Sequence, residues 1–235
     1  MQRWDIINHL IKENNYKDYL EIGYYKGWSF DNVKCDHKIA VDPNPCKDIN
    51  QENWAYGGGQ VLSLEGKVAY YRAYPHYHLI AKMTSNDYFS KLDNDTKYDI
   101  IFIDGLHEFS QVERDIQNSL HHLSENGTIV LHDMLPPTLE HVTTGDKYGN
   151  WNGDCYKALL KFINEDISFQ YTIKVVDTDW GCGIIQKSRK PGYSSWKVFD
   201  IEYSKAIQDF NYFQENKDKL FEIITPEEFL TLYNK

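Results

Sequence analysis

The sequence predicts an α/β fold: an open, doubly wound, mostly parallel sheet with an antiparallel hairpin at one edge. Three observations predict it. Short apolar runs at 19–22, 38–41, 79–83, 99–103 and 128–131 are separated by segments with helical periodicity. Three of those runs end in an acid, at Asp42, Asp104 and, one residue beyond His132, Asp133. Residues 171–177 and 183–186 flank Thr178-Asp-Trp-Gly181 with no helix between them, which reads as a hairpin.

The elements follow in order. Trp4, Ile6, Ile7, Leu10 and Ile11 form the stripe of an amphipathic helix ending near Asn14-Asn15. Residues 19–22 are a strand that meets Gly23-Tyr-Tyr-Lys-Gly27, and 29–35 read as a short helix or turn. Residues 38–41 lead into Asp42, and Pro43 and Pro45 break the chain. This strand, glycine loop, helix, strand and acid unit suits a nucleoside-bearing ligand. Glycines permit close backbone approach, the helix start offers free amides, and an acid at the next strand end suits a ribose diol. The loop is not G-x-G-x-x-G. Glu21 precedes its first glycine, which favours a cationic amino-acid cofactor over a pyrophosphate.

Residues 53–78 carry no readable pattern. Thr84 suits a helix cap before Tyr88, Phe89 and Leu92. The centre of the chain is 99–133. The strand ending at Asp104 turns at Gly105-Leu-His107. Val112, Ile116, Leu120 and Leu123 mark one helix face, and Asn126-Gly127 is expected to stop that helix before the strand 128–131. Two adjacent parallel strands bring Asp104, His107, His132 and Asp133 to one carboxyl edge, where open α/β sheets bind ligands. His121 and His122 are expected to face solvent. Residues 138–150 read as a polar loop, 151–154 open a helix, and 203–232 read as helical, with Thr225 capping and Pro226 first in the last helix.

Composition sets bounds. The 235-residue chain is long enough for a sizeable core, and its net charge of −10 argues against a general nucleic-acid binder. The four cysteines form no C-x-x-C pair, so a zinc site and a disulfide framework are not expected. No run reaches the length of a membrane span and no signal peptide is evident, so a cytoplasmic protein is expected.

Residues 20–27 (LEIGYYKG), Val41-Asp42, residues 103–109 (IDGLHEF) with Asp115, and residues 127–133 (GTIVLHD) together resemble class I S-adenosylmethionine-dependent methyltransferases. Within that class the bacterial small-molecule and sugar O-methyltransferases, including macrocin O-methyltransferase-like enzymes, are nearest. Residues 151–157 and 179–183 are also similar to this group. The resemblance implies a Rossmann-like, seven-stranded domain over 1–190, with 191–235 as a helical extension packed on it. It implies that Glu21, Gly23 and Gly27 hold the methionine part of S-adenosyl-L-methionine, that Asp42 takes the ribose, and that Ser85 and Asn86 meet the adenine edge. Asp104, also at the cofactor, would ligate Mg2+ or another divalent cation with His132 and Asp133. His132 stands where relatives carry a second acid, and imidazole is a poorer partner for magnesium.

The expected reaction is methyl transfer to a hydroxyl of a small polar acceptor, a sugar of a polysaccharide or natural product. Asp104, His107 and His132 are the candidate acid–base groups, and Trp151 and Asp154 the candidate acceptor residues. Simpler roles compete: Asp104 or Asp154 as a helix cap, Asp133 as a turn former. A nicotinamide-dependent oxidoreductase and a catalytically silent binding domain are the alternative functions. A homo-oligomer is compatible with either.

Overall fold

The computed structural model describes residues 1–45, 77–143, 151–166, 170–187 and 200–234. Eight strands form one sheet: β1 (Asp18–Ile22), β2 (His37–Val41), β3 (Tyr77–Ala81), β4 (Tyr98–Ile103), β5 (Leu123–Leu131), β6 (Tyr171–Val176), β7 (Cys182–Lys187) and β8 (Ile223–Ile224). Their order is β3-β2-β1-β4-β5-β7-β6-β8. The first five run parallel, β7 is antiparallel to both β5 and β6, and β8 is parallel to β6. Strand order reverses between β1 and β4, so a crevice opens there at the carboxyl edge.

Alternation along the strands divides the core between two faces. Leu20, Ile22, Ile101, Ile103, Ile129 and Leu131 pack on one side, against helices α3 (Ser85–Ser90), α4 (Phe109–His122), α6 (Tyr156–Glu165) and α8 (Phe210–Leu220). Tyr19, Ile100, Phe102 and Val130 pack on the other, against α1 (Arg3–Asn14), α2 (Trp28–Asn32) and α9 (Pro226–Leu232). Two further helices are α5 (Leu139–Val142) and α7 (Asp200–Gln208). Because α1 runs against the strand that follows it, its first turn lies at the carboxyl edge. Asn15 ends it in the left-handed conformation, φ 54°.

Several expectations change. The α4 helix stops at His122, not at Asn126-Gly127. Leu123 turns extended and buries itself opposite Tyr98, so the strand begins earlier and Asn126-Gly127 lie within it. His122 is buried, stacked on Phe89 at 5.6 Å with Nδ1 2.9 Å from the Thr96 carbonyl, and does not face solvent. The tail is not wholly helical: Ile223–Ile224 add β8 outside the hairpin, making eight strands instead of seven. The caps at Thr84 and Thr225 form as expected, each hydroxyl accepting an amide at 3.1 Å. Most of the unreadable stretch 53–78 lies outside the described residues. Among those residues, no helix is long and apolar enough to cross a membrane.

Candidate active site

A cavity of about 660 Å3 opens at the strand-order reversal, within the size range of small-molecule sites. It is lined by Glu21, Gly23, Asp42, Ser85, Asn86, Asp104, His107, His132, Asp133 and Trp151, so most of the expected site residues converge. Gly27 and Asp154 are not in its wall. Gly27, φ +77°, lies under the Tyr24 ring, and Asp154 accepts the Phe109 amide at 2.6 Å, which caps α4. Asp154 does not cap the helix it precedes, whose cap position is Cys155, but holds the start of α4 instead.

The glycine loop is built by contacts across the sheet. Gly23 has φ +95°, and a β-carbon there would stand 2.5 Å from the Asp104 carbonyl carbon and 2.7 Å from Gly105 Cα. Only glycine lets the tips of β1 and β4 approach this closely. The Asp42 carboxylate accepts the amides of Tyr24 at 3.0 Å, Tyr25 at 2.8 Å and Asn44 at 2.7 Å. It fixes the loop as well as facing the cavity.

Glu21 is buried and accepts the Tyr19 hydroxyl. Burial raises its carboxyl to about 8; the Tyr19 hydrogen bond opposes the rise, Asp104 adds to it, and Lys38 and Arg3 oppose it. The folded protein thus holds this proton more tightly than the unfolded chain, whose carboxyl titrates near 4.5. The associated stability is complete below pH ~4.5 and is lost as pH rises toward ~8, with a limiting slope of about 1.4 kcal/mol per pH unit. Glu21→Gln should flatten that slope. Melting temperatures of the two proteins measured from pH 5 to 8 check this; parallel curves would contradict it.

At the other end of the loop lies a charged cluster. His107 Nδ1 is 2.8 Å from the Trp151 carbonyl, which can only accept, so this nitrogen carries a proton and Nε2 faces inward. Nε2 lies 3.3 Å from Asp104 Oδ1 and 3.4 Å from Asp133 Oδ2. His132 is buried with Nδ1 3.1 Å from Asp133 Oδ2 and 3.4 Å from Asp104 Oδ1, and Nε2 3.7 Å from Asp179 Oδ1. Arg3 donates from Nη1 to Asp104 Oδ2 at 2.7 Å, and from Nε and its own backbone amide to Asp179 Oδ2 at 2.9 and 2.8 Å. Burial lowers both imidazoles, but the facing carboxylates win: His107 rises to about 9 and His132 well above its ordinary value. Burial raises Asp104, yet His132, His107 and Arg3 hold it well below the carboxylate range. Three cations thus balance three anions.

One ligand atom each from Asp104, His107 and Asp133 lies within 4.8 Å of the other two. The sequence suggested His132 as the third member with the two aspartates; His107 completes the trio, and His132 stands against both carboxylates from the buried side. Two carboxylates and an imidazole at such spacing fit a divalent ion, and the imidazole favours a transition metal over magnesium.

Several cavity residues were not anticipated. Arg3 arrives from α1, across 101 positions of chain from Asp104, and no local pattern marks it. Asn152 is buried and donates from Nδ2 to Asp133. Gln111 and Asp115 on α4 join Ser85 and Asn86 at the loop's far side, Gln111 Nε2 donating to Ser85 at 3.1 Å and to Asp115 at 3.0 Å. Asp115 had appeared among the resembling motifs without a role. Trp180 follows Asp179, both left-handed at φ 64° and 48°, and lines the cavity beside Arg3.

Residues 20–134 match the family described as methyltransferase domain. No protein of curated function matches the chain. Among solved structures it is similar to an O-methyltransferase from Bacillus cereus in complex with SAH (10% identity, 79% of this chain and 80% of that one, TM-score 0.51). Others are an SAH-bound methyltransferase from Podospora anserina (17%, 79% and 78%, 0.49) and the O-methyltransferase TomG from Streptomyces achromogenes (12%, 78% and 78%, 0.48). The cavity at the β1/β4 reversal, with its glycine loop and acids, therefore lies in the stretch that matches a methyltransferase domain, just under half of the chain, on a Rossmann-like α/β fold.

Proposed function

We propose that the chain is an S-adenosylmethionine-dependent O-methyltransferase acting on a hydroxyl of a small polar acceptor, a sugar of a polysaccharide or natural product. The observation that carries this reading is one cavity joining two chemistries. Glu21, Asp42, Ser85 and Asn86 surround a nucleoside-and-amino-acid half, and Asp104, His107 and Asp133 surround a reactive half. The similarity to an O-methyltransferase from Bacillus cereus in complex with SAH supports it.

When bound, the cofactor offers a methyl group on a sulfonium, and a divalent ion held by Asp104, His107 and Asp133 lowers the pKa of an oxygen beside it. The protein's own groups do the rest. Glu21 offers a buried carboxyl to the cationic part of the cofactor. Asp42 holds the loop amides in place around it. His132, held charged by its carboxylate neighbours, keeps Asp104 ionised and stands against both Asp104 and Asp133. His107, with Nδ1 anchored on Trp151, would serve as the metal's third ligand at Nε2 on giving up that nitrogen's proton. Trp151 forms part of the acceptor side.

Calorimetry tests the cofactor half. S-adenosylhomocysteine should bind saturably, and NAD should not, since the loop lacks the G-x-G-x-x-G spacing that seats a pyrophosphate. NAD binding in place of the nucleoside thioether would replace this reading with an oxidoreductase.

A further inference from the structure

The carboxylates of the Asp104–His107–Asp133 trio do not meet the cavity as free charges. One of them already holds a cation that cannot lose its proton. Arg3 donates from Nη1 to Asp104 Oδ2 at 2.7 Å, and a guanidinium stays charged throughout the working pH range. The other oxygen, Asp104 Oδ1, faces His107 Nε2 at 3.3 Å. The carboxylate is thus divided, with Oδ1 toward the trio and Oδ2 on Arg3.

Arg3 is fastened in that place. Nε and Nη2 donate to the two oxygens of Asp179 at 2.9 and 3.2 Å, the two-point grip that suits a planar guanidinium. Its backbone amide donates to the same carboxylate at 2.8 Å, and the Met1 carbonyl accepts the Thr178 hydroxyl at 2.6 Å. The first turn of α1 is therefore tied to the hairpin turn. That turn is tied in its own right, since the Trp180 carbonyl accepts the Leu135 amide at 2.8 Å. The Arg3 and Asp104 side chains are 19% and 14% exposed, so water and salt screen the pair only in part. A cation beside a carboxylate weakens its hold on a proton by about ten- to a thousandfold. The same charge opposes a second cation on the other oxygen, and more so when that cation is divalent. Asp179 does not cancel this, because the guanidinium bridges the two carboxylates and its charge lies nearer to Asp104.

We infer that Arg3 is a built-in counter-cation that holds down the affinity of the trio for a divalent ion, leaving the ion exchangeable and not resident. This rests on the metal reading above and goes beyond it. Arg3 and Asp179 both lie outside the matched stretch 20–134, so the ion affinity is set by parts of the chain that this stretch does not contain. Arg3 acts through Asp104 and is not itself a ligand.

Mn2+ binding to the full chain, followed by electron paramagnetic resonance, tests this on the wild type, Arg3→Met and Arg3→Lys. Arg3→Met removes the charge and keeps an unbranched stem. It should bind Mn2+ at least about tenfold more tightly than the wild type, the lower end of the range for one adjacent charge. A variant that had only lost structure would bind more weakly, so a gain is not a by-product of damage. Arg3→Lys keeps the charge without the two-point grip and should stay within about threefold of the wild type. Equal or weaker binding by Arg3→Met, or an equal gain in Arg3→Lys, would overturn the inference and leave the trio as an ion site. No Mn2+ binding by any of the three would remove the ion site itself, and the inference with it. Should Arg3→Met fail to fold, the wild type decides, because an ion on the trio must in turn weaken the hold of Asp104 on Arg3. The four arginines give four Nε–H signals in 15N-labelled protein, and Arg3→Lys identifies that of Arg3 by its loss. Zn2+ should shift this signal and hasten exchange of its proton with water. Zn2+ that moves the His107 ring signals and leaves Arg3 Nε–H in place would overturn the coupling.

Discussion

Gly23→Ala is expected to cost more than about 4 kcal/mol of stability and to abolish S-adenosylhomocysteine binding, an effect at the extreme of single substitutions. The added methyl would meet backbone, not a side chain that can swing away: Asp104 C at 2.5 Å and Gly105 Cα at 2.7 Å. The left-handed φ of +95° adds its own strain. Relief requires β1 and β4 to part, which moves Asp104 and opens the loop. Gly105→Ala is the control. Its β-carbon would meet the Ile22 Cγ2 methyl at 3.2 Å and the Ile22 carbonyl at an ordinary 3.7 Å, and a small loss is expected. Urea melts and calorimetry on both variants measure the difference. A Gly23→Ala protein as stable as Gly105→Ala would show that the strand tips are not in contact.

Asp104→Asn is expected to lower methyl transfer by about a thousandfold, within the range for loss of a group acting on the transferred proton. It should also remove saturable Mn2+ binding, while S-adenosylhomocysteine affinity is largely kept. The amide preserves shape and can still accept from Arg3, so the fold should survive. What it removes is the charge that Arg3, His107 and His132 share. Mn2+ binding followed by electron paramagnetic resonance separates the metal role from turnover, and EDTA treatment of the wild type should reproduce the loss. Retained turnover would rule out the role assigned to Asp104. Retained Mn2+ binding would remove it from the ligand set.

The parts of the molecule that could be read beforehand were those written in local periodicity. The strands ending at Asp42 and Asp104, the α4 face and the hairpin are each encoded within a few residues, and the carboxyl-edge grouping of Asp104, His107, His132 and Asp133 follows from strand adjacency. The misreadings came from tertiary packing. Leu123 has a buried position opposite Tyr98, and that outweighs the helix-stop signal of Asn126-Gly127. His122 looks polar on a helix wheel, but Phe89 and the Thr96 carbonyl give it a buried place. The β8 strand has two residues, too few for any alternation to register. Arg3 could not be foreseen at all: its partners Asp104 and Asp179 are brought to it only by packing of α1 on the sheet.

The short β8 strand has a consequence beyond its size. It pairs with Val175 and Val176 at the outer margin of the hairpin, and Phe221 and Phe229 on either side of it are fully buried. Exposed strand margins invite pairing with foreign chains. Here two residues of the chain's own later segment cover the end of β6, so that part of the margin is not open to a foreign strand.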